Sequence, residues 1–189
     1  MNKKRKGYSL MELITTMAII TVVLIITLLM FNNMMKTVNR TLAKIETIQE
    51  LLKLDDVIQN EVIKMGPEPS YFKGVNQISG DGYSGIMYIV EVPFGNPSRI
   101  TKLLEYIKDS THPKGVLILK EKPFESIDFD ENPNDLSWQK EIVLLEPTTE
   151  ATVLFGGSIL SGTLGYTIEV SYRSATLRLE SQVYLPNIK

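Results

Sequence analysis

Residues 13–31 form a run of 19 positions with no charge, glycine or proline. As a helix the run rises about 28 Å at ~1.5 Å per residue, close to the ~30 Å hydrocarbon core of a bilayer. β-Branched residues are frequent in it, among them Ile14, Thr15, Thr16, Val22, Val23 and Ile25. They weaken a helix in water, but in lipid the backbone has no other partner, so helix is the expected state. The pattern does not end there: no glycine or proline occurs between Tyr8 and Met65, and Gly66-Pro67 then interrupt it. Beyond the apolar run, Val38, Leu42, Ile45, Ile48, Leu52 and Ile63 recur at mostly three- and four-residue steps, with Lys36, Arg40, Lys44, Glu46, Glu50 and Lys53 on other faces. This predicts one helix over residues 8–65, membrane-spanning over 8–35 and amphipathic over 36–65. Val38, Leu42, Ile45, Ile48, Leu52 and Ile63 would be its buried stripe and Gly66 its C-cap.

After Gly66 short apolar runs alternate with turn residues. Ile86-Met87-Tyr88-Ile89-Val90, Val116-Leu117-Ile118-Leu119, Ile142-Val143-Leu144-Leu145 and Val153-Leu154-Phe155 read as buried strands. Tyr166, Ile168, Val170 and Tyr172 alternate with polar positions, as do Leu177 and Leu179, which predicts a hairpin turning near Arg173-Ser174 with one wet face. Ser98 followed by Ile100, Leu103, Leu104 and Ile107 fits a short capped helix. The expected class is α+β: a long N-terminal helix packed on an antiparallel β-sheet head spanning 66–189.

Charge changes the picture at one place. The chain holds 20 basic and 22 acidic residues, a balance that gives no reason to expect nucleic acid as a partner. Four of the basic residues, Lys3, Lys4, Arg5 and Lys6, stand together ahead of Gly7. They favour a cytoplasmic N-terminus and an outward-facing body. The apolar run leads into Asn32-Asn33-Met34-Met35-Lys36, with no small-residue site of the kind that ends a secretory signal peptide. Cysteine is absent, which excludes disulfides and thiolate metal sites.

Glu12 is the one charge near the start of the apolar helix. A carboxylate there needs a partner, and two are conceivable. Ser9-Leu10-Met11-Glu12 has the spacing of a capping box, in which Glu12 accepts a backbone donor of its own helix. Alternatively the partner lies on another molecule.

The junction Lys3-Lys4-Arg5-Lys6-Gly7-Tyr8-Ser9-Leu10-Met11-Glu12 resembles the class III leader of type IV pilins and pseudopilins: a short basic leader, a glycine, an aromatic or apolar residue, and a glutamate five residues past the glycine. The resemblance implies removal of residues 1–7 between Gly7 and Tyr8 by a prepilin peptidase, and N-methylation of the Tyr8 amine. It also implies pairing of Glu12 with that amine on a neighbouring subunit. Tyr8 departs from the phenylalanine usual in the family, and Leu29 stands where many major pilins have proline. The pilin-like fold, the inner-membrane setting and partnership with other pilin or pseudopilin subunits follow as expectations. The role expected is that of a minor pilin or pseudopilin of a type IV pilus, type II secretion or DNA-uptake filament.

Other chemistry is thin. Asp128-Phe129-Asp130-Glu131 is acidic, but Pro133 and Gln139 stand where a calcium loop needs glycine and glutamate. Gly156-Gly157-Ser158 lacks the lysine of a phosphate loop, His112 precedes Pro113 in a predicted loop, and Trp138 reads as a core anchor. No nucleophile–base pair or metal set is legible, so neither catalysis nor a cofactor is expected. The competing reading is a single-span anchored binding module that does not polymerise.

Overall fold

A computed structural model describes residues 9–66, 73–78, 83–95, 97–126, 128, 131, 133, 135–156, 162–173 and 175–185, with the side chains of 73–78 and 83 outside the description. Gly7, Tyr8, Gly157 and Ser158 therefore lie outside it. The described residues form one helix, α1 (Leu10–Val62), followed by eight strands. The chain divides into two compact units, Met1–Leu42 and Ala43–Lys189.

In the first unit, the helix side chains from Leu10 onward are exposed. The threonines that interrupt the apolar run are satisfied within the helix. Thr15, Thr21 and Thr27 donate to the carbonyls of Met11, Met17 and Val23 in their own preceding turns, at 2.9, 2.8 and 2.8 Å. Such back-bonding removes free hydroxyl donors from a surface suited to lipid.

The second unit joins the C-terminal part of α1 to two antiparallel sheets. The first is a meander of β1 (Lys73–Ile78), β2 (Tyr83–Glu91), β3 (Arg99–Ile107), β4 (Val116–Pro123) and β5 (Lys140–Leu145), in that spatial order. The second is β6 (Glu150–Phe155), β7 (Thr163–Tyr172) and β8 (Ala175–Tyr184). The predicted hairpin is β7–β8, with Arg173 at φ 53° in its turn. The main core lies between α1 and the sheets. Leu51, Leu54, Ile58, Val62 and Met65 meet Ile86, Tyr88, Leu104 and Tyr106 of the first sheet and Val153, Tyr166, Ile168 and Val170 of the second. The sheets are also tied by the Phe155 N–H donating to Ser84 Oγ at 2.9 Å and the Ala151 N–H to the Lys114 carbonyl at 3.0 Å.

Residues 99–107 are a strand, not the expected helix. β3 is the central strand of its sheet, and both its faces are covered. Leu104 and Tyr106 face the main core, while Leu103 joins Met87, Leu136 and Trp138 in a second cluster. Burial on both faces erases the period-two signal and leaves apolar spacings that mimic a helix. Trp138 accordingly anchors the reverse side of the sheet, its Nε1–H donating to the Pro133 carbonyl at 3.0 Å.

The helix also ends earlier than Gly66. Lys64 and Met65 donate three residues back, to Glu61 and Val62, closing a tight last turn. Gly66 instead joins the sheet: its N–H donates to the Ile89 carbonyl at 2.9 Å, and a Cβ there would stand 3.0 Å from the same oxygen.

The acidic segment after β4 is structural at Asp128. Its buried carboxylate accepts from Lys122 Nζ at 2.7 Å, Thr101 Oγ1 at 2.5 Å and the Glu125 N–H at 2.9 Å. Burial pushes the Asp128 pKa up, but the Lys122 ammonium and these donors outweigh it and hold the group below its ordinary value. For Lys122, burial pulls downward and Asp128 outweighs it, leaving the ammonium above its ordinary value. The carboxylate's contribution is therefore complete above about pH 4, its unfolded pKa, and is lost as pH falls through the lower folded value. Asp128→Asn removes the buried counter-charge of Lys122 and leaves it only the exposed Glu125 carboxylate at 3.7 Å. It is expected to destabilise the head by about 3 kcal/mol at neutral pH, read as a lowered Tm in detergent.

Candidate assembly helix

The site is α1 itself, and its start is a closed capping box. Ser9 N–H donates to Glu12 Oε2 at 3.0 Å, and the Glu12 N–H reaches Ser9 Oγ at 3.4 Å. Glu12 thus has an intramolecular role. An ionised carboxylate accepts at both oxygens, so this cap is compatible with a further bond to an amine from another molecule.

Farther along, α1 carries two apolar stripes. The stripe turned into the head is Ala43, Thr47, Leu51, Leu54, Ile58 and Val62, all buried. The residues expected to be buried point elsewhere: Ile45, Ile48 and Ile63 are 45%, 45% and 46% exposed, and Val38, Leu42 and Leu52 are also exposed. At about 100° per residue the second stripe lies almost opposite the first. Both obey three- and four-residue spacing, so periodicity alone does not say which one meets the head.

The choice is fixed by two carboxylates, Glu50, which the sequence pattern left on a wet face, and Asp55, which it did not single out. Glu50 is buried, and accepts from the Thr148 N–H at 2.8 Å and Thr148 Oγ1 at 3.2 Å. Asp55 accepts from Tyr166 Oη at 2.5 Å and from Gln59 Nε2 at 2.9 Å. Burial, then the Asp55 carboxylate, pushes the Tyr166 pKa above its ordinary value, so the hydroxyl stays a donor at neutral pH. These polar bonds permit one helix rotation and direct the other stripe to solvent. The legible signal was the small pair Ala43 and Thr47, which allows close approach beside the charges.

The remaining candidates are local structure. Asp109 Oδ1 accepts from the backbone of Thr111 and His112 at 2.9 and 2.7 Å, and lies 3.4 Å from His112 Nδ1, forming a closed turn. Gly156 donates to the Gly165 carbonyl at 2.7 Å between β6 and β7.

A family model described as the prokaryotic N-terminal methylation motif matches residues 2–28. No curated protein and no solved structure matches the chain. The match spans the basic leader, the Ser9–Glu12 cap and most of the apolar run, followed by two antiparallel sheets in a pilin-like α+β arrangement. The chain carries a prokaryotic N-terminal methylation motif, with its class III prepilin leader, at the head of a long apolar helix.

Proposed function

We propose that the protein is a structural subunit of a type IV pilin-like filament, a minor pilin or pseudopilin, cut after Gly7 and held in the inner membrane by α1 until it assembles. The cytoplasmic N-terminus follows from the basic residues at positions 3–6. The observation that carries the reading is the exposed stripe of Ile45, Ile48 and Leu52, on the side of α1 opposite the buried residues, which continues the exposed Val38 and Leu42 past the membrane-length run. A lipid anchor alone gives no reason for apolar residues on the solvent side of a helix already packed on its own core. A seam between neighbouring helices does.

Glu12 supplies the register in this reading. Its carboxylate pairs with the Tyr8 amine of the adjacent subunit, a donor that exists only after cleavage, and so favours processed over unprocessed subunits in the fibre. Glu12→Ala is expected to insert and lose residues 1–7 normally, but to enter sheared filaments at less than about a tenth of the wild-type amount, the cost of one unpaired buried charge. Wild-type incorporation of that variant would remove Glu12 from the assembly contact.

A further inference from the structure

The turn between β2 and β3 exposes an aromatic side chain at a cost. Phe94 is fully exposed and its φ is +64°, a left-handed conformation uncommon for a bulky residue. The turn around it is firmly built. Val92 N–H donates to the Ser98 carbonyl at 2.9 Å, Gly95 N–H donates to the Val92 carbonyl at 3.0 Å, and the Glu91–Arg99 pair closes the base at 3.2 Å. A Cβ on Gly95 would come 2.6 Å from Val92 Cγ1, so that position is kept free of a side chain. Nothing inside the head gains from a strained, exposed ring.

The opposite end of the first sheet holds a cleft of about 350 Å³ lined by His112, Pro113, Lys114, Glu146 and Pro147. It too is firmly built. Gly115, at φ +91°, lies against Tyr106, whose hydroxyl donates to the Lys114 carbonyl at 3.1 Å, and any Cβ at Gly115 would collide with that ring. Glu50 of α1 holds the Thr148 side of the cleft, whereas Gly66 bonds Ile89 near the Phe94 turn. Turn and cleft therefore stand at opposite ends of β3, nine residues or about 30 Å apart, along the direction of the helix within the head.

We propose that Phe94 of one copy seats in the Pro113–Pro147 cleft of a second copy stacked along the helix direction. The proposal rests on the filament reading and adds a head-to-head contact to it. The knob and the cleft are on different ends of one head, so their union is heterologous and repeats without closing. The cleft volume exceeds that of a phenyl ring, and His112, Pro113 and Pro147 are among its lining residues. The flanking charges match: Glu91 and Arg99 beside the knob face Lys114 and Glu146, both exposed, beside the cleft.

The 189-residue sequence has no cysteine, so introduced thiols are the only ones in it. The experiment places Phe94→Cys and Pro113→Cys together in one chain, co-expressed with prepilin peptidase, and oxidises the membranes. Filament yield after shearing is measured on the wild type alongside. A disulfide-linked ladder of this chain is expected from the double variant, and a dimer when the two single variants are mixed. Filaments without a ladder overturn the contact and leave the filament reading standing. Absence of wild-type filaments overturns both. A Phe94→Cys bond to a different protein overturns the choice of a second copy. Phe94→Gly separates contact from folding: it relieves the positive φ, so the head Tm is expected to hold or rise while assembly falls by about thirtyfold, the effect of a hot-spot residue. A lowered Tm with unchanged assembly would show the ring to be structural only.

Discussion

A fragment beginning at Ala43 is expected to fold, and one beginning at Gly66 is not. Leu51, Leu54, Ile58, Val62 and Met65 are buried in the main core together with both sheets. Each such side chain contributes about 1.5–3 kcal/mol on burial, so the five together represent roughly 10 kcal/mol. That rivals the 5–15 kcal/mol that holds an ordinary domain. Removing the segment also strips Thr148 and Tyr166 of their carboxylate acceptors. Residues 43–189 should give one cooperative thermal transition and little binding of a hydrophobic dye. Residues 66–189 should bind the dye strongly and show no transition. A cooperative transition in the shorter fragment would mean that the helix is an appendage and not part of the core.

The second large effect concerns the outward stripe. Ile45→Lys places a charge in the middle of the proposed seam at a residue the head does not bury. Because nothing in the folded subunit is disturbed, its unfolding free energy in detergent should stay within about 0.5 kcal/mol of wild type. Membrane insertion and cleavage should also be unchanged. Assembly should be lost, since an unpaired ammonium in a helix seam costs several kcal/mol, or more than about a hundredfold per subunit. Asn39→Lys, an exposed polar position on another face, serves as the comparison and should assemble normally. Normal assembly of Ile45→Lys would exclude this face from the filament.

Much of the architecture could be read from the residues because strong, unambiguous signals carry it. The 13–31 run and the chain free of glycine and proline up to Met65 place α1 within a few residues of its observed bounds. Ser9 and Glu12 sit at the capping spacing and close the predicted box. The alternation of Tyr166, Ile168 and Val170 against polar neighbours marks β7 because its far face is wet.

The misreadings share one cause: apolar residues on two sides of an element. β3 buries Leu103 on one face and Leu104 on the other, so its spacing resembles a helix. α1 bears Leu42, Ile45, Ile48 and Leu52 on one side and Leu51, Leu54, Ile58 and Val62 on the other, and each set alone makes a valid stripe. What decides between them is the tertiary pairing of Glu50 with Thr148 and Asp55 with Tyr166, contacts separated by 98 and 111 positions in the chain. Local pattern carries no information about such pairs. The same duplication is the physical core of the proposed function, since one stripe completes the subunit and the other is left for its neighbours.

The most direct test of the account is the intact mass of the membrane-extracted protein, measured with and without a co-expressed prepilin peptidase. With the peptidase, the chain should begin at Tyr8 and carry one added methyl group on its amine, and without it the chain should retain residues 1–7. A chain that keeps its first seven residues in the presence of an active peptidase would contradict the account, because the Tyr8 amine assigned to Glu12 would then never form.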